Sequence, residues 1–462
     1  MIEIREISDL QRDKIISIPE NHFNDLKSKE IAPSKLTKTL SAFANAVGGE
    51  LYIGIRESDD NGIQNRAWIG FVDQEAANSH IQVFEELFPL GDQYSYGFLS
   101  HPNENGLVLH VSVKKNIAII KASNGKVYKR RSAQNLPIET AEDLRRLELD
   151  KGIASFEDNT INAPIEFVTD SLCIYEFMAE VIPTSEPEPW LKKQLLIRNK
   201  LPTVAAIMLY SDTPQAALPK QSGIKIYRYK TKADEGTRET LVFDPISVEG
   251  PAYKQIYEAV KITKEIIENG KVLKETGLEN LEYPEKALHE IITNAVLHRD
   301  YSIASDIHVR VFDNRVEILS PGSLPGHITV NNILEEQFAR NGNMVRLINK
   351  FPNPPNKDVG EGLNTAFEEI AELRLKKPEI VELDHAVKVT IKHEPLASPE
   401  KIIMDYLADH EEIHNSTARY LSGIKSADIV KTHFYRLKDK GLIEMNPDPN
   451  KKGRNSTWIL KK

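Results

Sequence analysis

The strongest constraint on the fold is a change of hydrophobic period between residues 285 and 392. The stretch PEKALHEIITNAVLH repeats apolar residues at helical spacing, and DIHVRVFDN and RVEILSPG follow it with the pattern of strands. A long Gly/Asn/Pro-rich segment, a second helical pattern in EGLNTAFEEIAEL and a strand pattern in AVKVTIKH complete the region. The order predicts a compact domain that mixes helices with strands.

The remaining sequence divides into three further blocks, which suits a chain of 462 residues. The first block, residues 1–145, combines a helix in SKLTKTLSAFANAVGG with strands in ELYIGI, GLVLHVSVKK and KVYKRR. Residues 146–275 form a mixed linker domain, in which TVAAIMLYS is predicted as an apolar strand. Residues 276–395 hold the region described above, and residues 396–462 are small and helical with a hairpin-like tail. The predicted fold class is therefore α/β and α+β, in four domains.

Composition excludes some functions. The formal net charge of −9 means that any nucleic-acid surface must be local. No apolar run approaches the roughly 20 residues that span a bilayer, so no membrane partner is expected. Cys173 is the single cysteine and cannot form an internal disulfide. A cytoplasmic, reducing setting fits this usage.

Candidate nucleotide-binding residues concentrate in the third block. Glu290 and Asn294 lie one helical turn apart and share a face. An amide oxygen suits Mg²⁺ beside phosphates, and a carboxylate can deprotonate an attacking water. Asp313 is predicted at a strand end as an acceptor for the adenine amino group, with Gly322 in a turn. Gly360 and Gly362 precede a helix, where backbone N–H groups can approach a phosphate.

This ordered set resembles the GHKL ATPases, which include histidine kinases, gyrase-type topoisomerases and Hsp90. NAVLHRDYS and RVEILSPGSLPGHIT are more similar to a divergent bacterial branch labelled RecG-related or Schlafen-like. The resemblance implies a GHKL α/β sandwich that binds ATP and Mg²⁺, with Asn294 as the metal ligand and Glu290 as the catalytic base. It also implies nucleotide contacts from Asp313 and from a further set: Gly322, Gly360, Gly362, and the lid pair Arg340 and Asn341. His298 and Asp300 either lie beside the phosphates or metal, or cap the helix and pack on the sheet.

The first block resembles the Schlafen/AlbA-type nucleic-acid-binding domain through ENHFNDLKSK, LSAFANAVGGELYIGI and GKVYKRRS. In Schlafen ribonucleases three carboxylates hold a divalent metal, which implies that Glu20, Asp25 and Glu57 take these positions. Arg56 stands where the family has an acid. The alternatives are a solvated group of acids or a non-catalytic metal or nucleotide contact.

A basic stripe predicts a phosphate track in the same block. Its members are Lys114, Lys115, Lys121, Lys126, Lys129, Arg130 and Arg131, with no acid between them. Tyr128 lies among them and is predicted to stack on a base, and Lys27 is expected to join the track. The alternative is an edge strand that lysines protect from pairing.

The fourth block has the pattern of a winged helix-turn-helix. Ser426 is predicted to cap a helix whose apolar stripe contains Val430, Phe434 and Leu437. The candidate DNA contacts are Lys425, Lys431, His433, Arg436, Lys438, Lys451, Lys452 and Arg454. A protein–protein module is the alternative.

These features predict an ATP-binding and ATP-hydrolysing regulator whose nucleotide state controls binding to DNA or RNA. The alternative is an ATP-gated, metal-dependent Schlafen-like ribonuclease in phage or stress defence. A histidine-kinase-like phosphotransferase is disfavoured because no dimerisation helices with a phospho-acceptor histidine precede the ATP region. A helicase is disfavoured because the sequence lacks a G-x-x-x-x-G-K-[ST] loop. GHKL domains often work as dimers, so a homodimer or higher homo-oligomer is left open.

Overall fold

The computed structural model divides into two compact units. The first contains Met1–Asn159 and Gly322–Gly342, and the second contains Thr160–Pro321 and Asn343–Lys462. The structure describes residues 3–60, 63–88, 91, 93–218, 221–268, 271–274, 277–280, 283–355, 362–373, 375–392, 399–422, 424, 426–447 and 456–461. The predicted mixed α/β class with several sheets is confirmed.

The first unit begins with a series of short strands and helices. Its strands are β1 (Ile4–Glu6), β2 (Asn24–Lys27), β3 (Gly48–Ile53), β4 (Ile55–Asp60), β5 (Ile63–Trp68), β6 (Tyr94–Ser100), β7 (Val108–Lys114), β8 (Val127–Arg131) and β9 (Gln134–Ile138). Its α-helices are α1 (Asp9–Ser17), α2 (Pro33–Ala44), α3 (Asn78–Leu87) and α4 (Ala141–Asp150), and 3₁₀ turns lie at Glu75–Ala77 and Phe156–Asp158.

A five-stranded sheet in the order β1-β6-β7-β3-β2 forms the centre of the first unit. Apolar residues of α2, including Leu40 and Phe43, pack with Leu51, Leu109 and Val111 in one core cluster on one face of this sheet. A smaller cluster covers part of the other face. The pairs β4–β5 and β8–β9 form separate two-stranded sheets.

The distinctive Ala-Phe-Ala-Asn run ends α2 and ties it to the segment before β8. Asn45 donates Nδ2 to the carbonyls of Ile120 and Tyr128 at 2.7 and 2.9 Å, and its Oδ1 accepts from the Ile120 N–H at 2.9 Å. The helix therefore ends at Asn45, where the backbone turns toward β3. Gly48 follows with a φ of +88°, a conformation that glycine adopts without strain.

The second unit is larger. Its α-helices are α5 (Glu166–Thr169), α6 (Leu172–Val181), α7 (Pro187–Lys193), α8 (Val204–Tyr210), α9 (Pro214–Ala217), α10 (Ala252–Glu268), α11 (Glu285–His298), α12 (Gly342–Ile348), α13 (Gly362–Glu372), α14 (Pro399–Asp409), α15 (Asn415–Ser422) and α16 (Ala427–Asp439). Its strands are β10 (Ile197–Arg198), β11 (Leu201–Pro202), β12 (Ile224–Arg228), β13 (Ile246–Val248), β14 (Lys271–Lys274), β15 (Gly277–Asn280), β16 (Ile307–Val311), β17 (Arg315–Pro321), β18 (Glu379–Glu382), β19 (Ala386–Lys392), β20 (Ile413–His414), β21 (Ile443–Met445) and β22 (Thr457–Leu460).

A six-stranded sheet in the order β13-β12-β16-β17-β19-β18 organises the second unit. The pair β12–β16 is parallel and the others are antiparallel. Helix α11 packs on β17 and between α10 and α13, which gives a layer of helices beside the sheet. The predicted helices and strands of residues 285–392 are thus confirmed. The sheet draws β12 and β13 from the sequence before residue 275, and the four predicted domain boundaries stay predictions.

The stretch TVAAIMLYS is a helix, so its prediction as a strand was wrong. Thr203 caps α8 by accepting from the Ala206 N–H at 3.2 Å, and every residue of the helix is buried. A helix that is apolar on all sides has no periodic signature that separates it from a buried strand. The N-cap threonine was the local signal that favoured a helix.

The C-terminal residues form three helices and a small sheet. Strands β20, β22 and β21 pair antiparallel in that order. Val430, Phe434 and Leu437 of α16 are buried with Trp458, as the predicted stripe required. Ser426 accepts from the Ile429 N–H and caps α16, which confirms that prediction. Within the residues the structure describes, no helix is long and apolar enough to cross a membrane.

Candidate functional site

Glu290 and Asn294 form one hydrogen-bonded pair on α11. Asn294 donates Nδ2 to Glu290 Oε1 at 2.9 Å, and both side chains are half-buried. The opposite face of the helix is in the core, where Leu288 and Ile292 are fully buried. The amide donor is turned to the carboxylate, so the Asn294 Oδ1, which is the metal-type ligand atom, is directed away from Glu290.

The first residue of α13 approaches this pair closely. A Cβ placed on Gly362 would lie 2.9 Å from Glu290 Oε2 and would overlap the rest of the carboxylate. A second contact fixes the two helices, because Glu369 accepts from the Ala287 N–H at 2.7 Å. Pro284, at the N-cap position of α11, provides no side-chain cap, so Glu369 supplies an acceptor for one of the first backbone N–H groups of the helix. The two contacts show that α13 runs antiparallel along α11.

The environment of Glu290 perturbs its acidity. Burial raises the pKa of the Glu290 carboxyl above its ordinary value, and the hydrogen bond from Asn294 only partly opposes this effect. A carboxylate with a raised pKa is a stronger base than a solvated one, which suits proton transfer near neutral pH. The geometry therefore combines a candidate base with backbone N–H groups at a helix N-terminus.

His298 and Asp300 follow the pair at the end of α11. His298 is half-buried one turn beyond Asn294. Asp300 is 1% exposed, and its carboxylate accepts from the Ser302 N–H at 2.9 Å and from the Ser302 hydroxyl at 2.5 Å. Its own N–H donates to the Pro321 carbonyl at 2.8 Å, at the end of β17. Asp300 thus performs the packing role that was one of the two predicted readings, and the nucleotide contact by either residue stays a prediction.

Asp313 and Gly322 lie at opposite ends of β17, and their assignment to one adenine-binding motif stays a prediction. Asp313 is in the turn between β16 and β17 and forms an ion pair with Arg228 of the adjacent strand at 2.5 Å. Gly322 follows the far end of β17 with a φ of +109°. A seven-residue strand separates the two by about 20 Å at the usual rise per residue.

Ser320, at the Gly322 end of β17, is the residue that reaches the helix of Glu290. Its hydroxyl donates to the Ala295 carbonyl of α11 at 2.8 Å. Sequence reasoning missed this contact, because a serine that precedes Pro-Gly looks like a turn residue only. The Ser320 side of the hairpin, rather than the Asp313 side, borders the second half of α11.

Arg340 and Asn341 are buried in the first unit, where they anchor the segment 322–342. Arg340 donates to the carbonyls of Leu149 and Ser323 at 3.2 and 2.6 Å, and it is 5% exposed. Asn341 is 1% exposed. Their predicted role in an ATP lid stays a prediction, while the contacts of Arg340 are structural. Gly360, the other predicted lid-side residue, lies outside the described residues.

The same segment has a second anchor. Lys115 donates to the carbonyls of Leu324 and Ile328, both at 2.9 Å. Lys151 donates to the carbonyls of Ala44 and Asn116 at the same distance, and burial lowers its pKa to about 7, with help from the charge of Lys115. Lys115, a member of the predicted basic stripe, and Lys151 therefore both bind backbone carbonyls inside the first unit.

Glu20 and Asp25 of the predicted nuclease triad share a cation. Lys27 lies 3.0 Å from Glu20 Oε1 and 2.9 Å from Asp25 Oδ1, and Arg130 lies 3.2 Å from Asp25 Oδ1. Burial raises the pKa of Asp25. For Glu20, burial acts in the same direction, but hydrogen bonding with Asp25 and the charge of Lys27 outweigh it and lower the pKa. The two acids therefore form a network with Lys27 and Arg130 in which Asp25 and Arg130 are buried and Glu20 and Lys27 are half-buried.

Glu57 takes part in a different interaction. Its carboxylate pairs with Arg66 across the β4–β5 hairpin at 2.7 Å. Over the described part of the chain, no group of three or more His, Cys, Asp or Glu side chains is arranged to hold a metal ion. The predicted convergence of Glu20, Asp25 and Glu57 on a metal is thus corrected, because neighbouring cations neutralise each acid.

The basic stripe is partly internal. Tyr128 is 7% exposed and packs with Ala42 and Ala122, so its predicted stacking on a base is corrected. Arg130 is 1% exposed and is likewise unavailable to phosphate. Lys129 pairs with Asp150 at 2.8 Å. Four members of the stripe are exposed: Lys114, Lys121, Lys126 and Arg131.

Helix α2 adds exposed cations that the sequence reading missed. Lys35 and Lys38 are exposed, and Thr37 between them lies 3.1 Å from the hydroxyl of Ser123, in the loop that contains Lys121. Lys38 lies over the ring of Tyr128 at 5.9 Å. The signal was the absence of any acid in PSKLTKTLSAFA. We call Lys35, Lys38, Lys121 and Lys126 the α2 basic patch.

The candidate DNA contacts of the C-terminal region are only partly described. Lys431 and Lys438 are exposed on α16. Glu400 binds His433 at 2.8 Å and lies 3.5 Å from Arg436, whose side chain is 60% exposed. The remaining candidates, Lys425, Lys451, Lys452 and Arg454, lie outside the described residues.

Comparison with known proteins identifies two regions of the chain. Residues 20–139 match the Schlafen, AlbA_2 family, and residues 304–391 match the family described as putative ATP-dependent DNA helicase recG C-terminal. The chain is therefore similar to Schlafen/AlbA_2 proteins over the first of these regions and to the GHKL-like ATPase domain of RecG-related proteins over the second. Together the matches indicate an ATPase-like, nucleic-acid-associated protein.

Two solved structures are similar over different shares of the chain. The DIP2311 protein from Corynebacterium diphtheriae is 15% identical, covers 98% of this chain and 96% of its own, and has a TM-score of 0.40. The N-terminal domain of a putative ATP-dependent DNA helicase RecG-related protein from Nitrosomonas europaea is 16% identical, covers 30% of this chain and 91% of its own, and has a TM-score of 0.21. No curated protein matches the chain.

Proposed function

We propose that this protein is an ATP-binding and ATP-hydrolysing regulator whose nucleotide state controls its binding to nucleic acid. The observation that carries the proposal is the close approach of Gly362 to the Glu290–Asn294 pair. A side chain at Gly362 would collide with the Glu290 carboxylate, so glycine is the residue that lets the start of α13 lie directly beside the acid and the amide. Anions are favoured at such helix starts.

Asn294, Glu290 and Glu369 would each have a different role in binding and hydrolysing Mg-ATP. Asn294 would hold Mg²⁺ through Oδ1, which is an oxygen of the type that Mg²⁺ selects. Mg²⁺, when bound, neutralises charge on the phosphate oxygens. Glu290 would accept the proton of the attacking water, and its raised pKa suits this role. Glu369 would hold α13 in register with α11, so that Gly362 stays beside Glu290.

Nucleic acid would bind through exposed cations rather than through the whole predicted stripe. The α2 basic patch contains four exposed lysines, of which Lys126 also pairs with Glu139 at 3.1 Å, and Arg131 is exposed on β8. The C-terminal region would act as a winged helix, with Lys431 and Lys438 of α16 toward DNA; the order of its three helices and three strands supports this proposal. Both surfaces would give strongly salt-dependent binding.

Isothermal calorimetry with Mg-ATP tests the nucleotide site. Asn294→Ala should weaken Mg-ATP binding, because it removes the metal ligand. Glu290→Gln should retain binding but lose hydrolysis by roughly 10²–10⁴-fold, the range for removal of a general base. Lys286→Ala, an exposed residue of the same helix, is the matched control and should behave as wild type. Wild-type protein that binds no Mg-ATP at millimolar concentration would refute the proposal.

Gel-shift titration at several salt concentrations tests the nucleic-acid surface. Lys35→Glu with Lys38→Glu should weaken binding to DNA or RNA more than tenfold and flatten the salt dependence, because phosphate neutralisation is lost. Lys14→Glu, a lysine in the last turn of α1 and outside the patch, serves as the control. Equal loss in both variants would mean that net charge, and not this patch, governs binding. Addition of Mg-ATP to the wild type should shift the affinity, and an unchanged affinity would remove the regulatory link.

A further inference from the structure

A stacked aromatic pair lies on the sheet face that α2 does not cover. Tyr52 of β3 and His110 of β7 are directly opposite in register, and their rings stack with centroids 4.7 Å apart and planes at 11°. Val111 and Val113, which alternate with His110 along β7, are in the core under α2. His110 therefore points to the opposite face of the sheet.

The ring of His110 is held in place from two sides. Tyr52 covers one face of the ring, and the His110 Nε2 lies 2.6 Å from Glu50 Oε2. The other Glu50 oxygen accepts from the Ser112 hydroxyl at 2.8 Å. Burial acts to raise the pKa of Glu50, but the hydrogen bonds with His110 and Ser112 outweigh it and lower the pKa. The Glu50 carboxylate therefore stays ionised and keeps its hydrogen bond with the His110 ring.

The second face of the His110 ring borders a gap in the sheet surface. Its register partner on β6, the strand on the other side of β7, is Gly97. A Cβ on Gly97 would meet nothing within 4 Å except the Glu3 carbonyl at 3.4 Å, an ordinary contact. Neighbouring strands are about 4.8 Å apart, so the missing side chain leaves a slot one strand wide beside an immobilised ring. We call this space the Gly97 slot.

Polar and cationic groups lie around the slot on the same face. Ser95 and Ser112 are register partners, two residues along β6 and β7, and Ser95 is exposed. Lys114 follows Ser112 by two residues and is exposed at the end of β7. The surroundings thus offer hydroxyl groups for the edge of a flat ring and a cation for a phosphate near it.

We propose that the Gly97 slot binds an unpaired base of single-stranded nucleic acid, which stacks on His110. Aromatic side chains on an exposed sheet face bind unpaired bases by stacking, with little dependence on sequence, while cations follow the backbone. This proposal rests on the proposed nucleic-acid function and extends it. Stacking of a base on His110 would add an interaction that phosphate binding alone does not provide. It also distinguishes unpaired from paired strands, since a base within a duplex has both faces covered.

Fluorescence anisotropy with two labelled probes tests the slot on the full chain. One probe is a 12-nucleotide deoxyadenosine strand, and the other is an abasic strand with the same number of phosphates. Wild-type protein should prefer the deoxyadenosine strand by roughly 5- to 100-fold, the range for one stacked base. His110→Ala should remove this preference, and His110→Phe should retain it, because a phenyl ring still stacks.

Gly97→Val gives the sharpest result, because it fills the slot without disturbing the core. Gly97 does not have a positive φ and its Cβ would contact only the Glu3 carbonyl, at an ordinary 3.4 Å, so a β-branched residue should be tolerated in β6. Gln134→Val, at an exposed position of β9 outside the slot, is the control for the same kind of substitution. Gly97→Val should bind both probes with the affinity that the wild type shows for the abasic strand, and Gln134→Val should keep the preference.

The outcomes separate the two proposals. Equal binding of both probes by the wild type, or an unchanged preference in folded Gly97→Val, overturns the slot and leaves the phosphate-binding function intact. If Gly97→Val does not fold, a preference retained by His110→Ala overturns the slot instead. A wild-type protein that binds neither strand overturns both the slot and the nucleic-acid function.

Discussion

Gly362→Ala is expected to abolish ATP hydrolysis with almost no change in stability. The added methyl would overlap the Glu290 carboxylate, which is the far end of a flexible side chain and can rotate away. The α13 backbone need not move, because Gly362 has no positive φ. The substitution therefore displaces the proposed base while it leaves the helix in place.

The expected change in stability follows from two opposing effects. Alanine stabilises a helix by up to about 1 kcal/mol relative to glycine. Rotation of Glu290 breaks its hydrogen bond with Asn294, which costs about 0.5–1.5 kcal/mol. The free energy of unfolding should thus change by less than about 1 kcal/mol. Hydrolysis should fall by roughly 10²–10⁴-fold, as expected for a base moved out of reach.

Phosphate release under saturating Mg-ATP measures hydrolysis, and urea unfolding measures stability. The double variant Gly362→Ala with Glu290→Gln should be no slower than either single variant, because both remove the same base. Ala366→Gly, at a buried position one turn further along α13, is a control that changes the helix without touching Glu290. Wild-type hydrolysis by a folded Gly362→Ala variant, or additive losses in the double variant, would refute the assignment of Glu290.

Three further predictions concern the first unit. Lys151 has a pKa of about 7, against 10.5 for an exposed lysine, so the unfolded chain binds the proton more tightly between these values. Stability should therefore rise from about pH 7 toward pH 10 by at most ~1.4 kcal/mol per pH unit, and urea titrations of Lys151→Met should lack that rise. Arg130→Met leaves the buried Asp25 carboxylate without one of its cations and should lower the free energy of unfolding by about 3–5 kcal/mol; a loss below 1 kcal/mol would contradict the pairing. Asn45→Ala removes the three hydrogen bonds to the backbone of Ile120 and Tyr128 and should cost about 3 kcal/mol, and a retained melting temperature would show that water replaces the side chain.

The helices and strands of the second unit were predicted best where the spacing of hydrophobic residues stayed regular over several residues. The helix of Glu290 and the strands around Asp313 have the predicted type and nearly the predicted bounds. The stretch Val204–Tyr210 failed because burial on all sides removes any polar face that would mark its period. The sequence spacing alone predicted that Glu290 and Asn294 are neighbours, because a helix brings residues four positions apart onto the same face.

Sequence alone determined which side chains share one element, because the backbone geometry of a helix or strand fixes their relative positions. It therefore determined the Glu290–Asn294 pair, the apolar stripe of α16 and the two family resemblances. Only the tertiary structure decided which charged groups remain available. It placed Gly362 against Glu290 and Gly97 beside His110, and it covered Arg130 and Tyr128. The reason is that pairing between distant segments, such as Asp25 with Arg130, depends on how the sheets and helices pack, and local sequence carries little information about this packing.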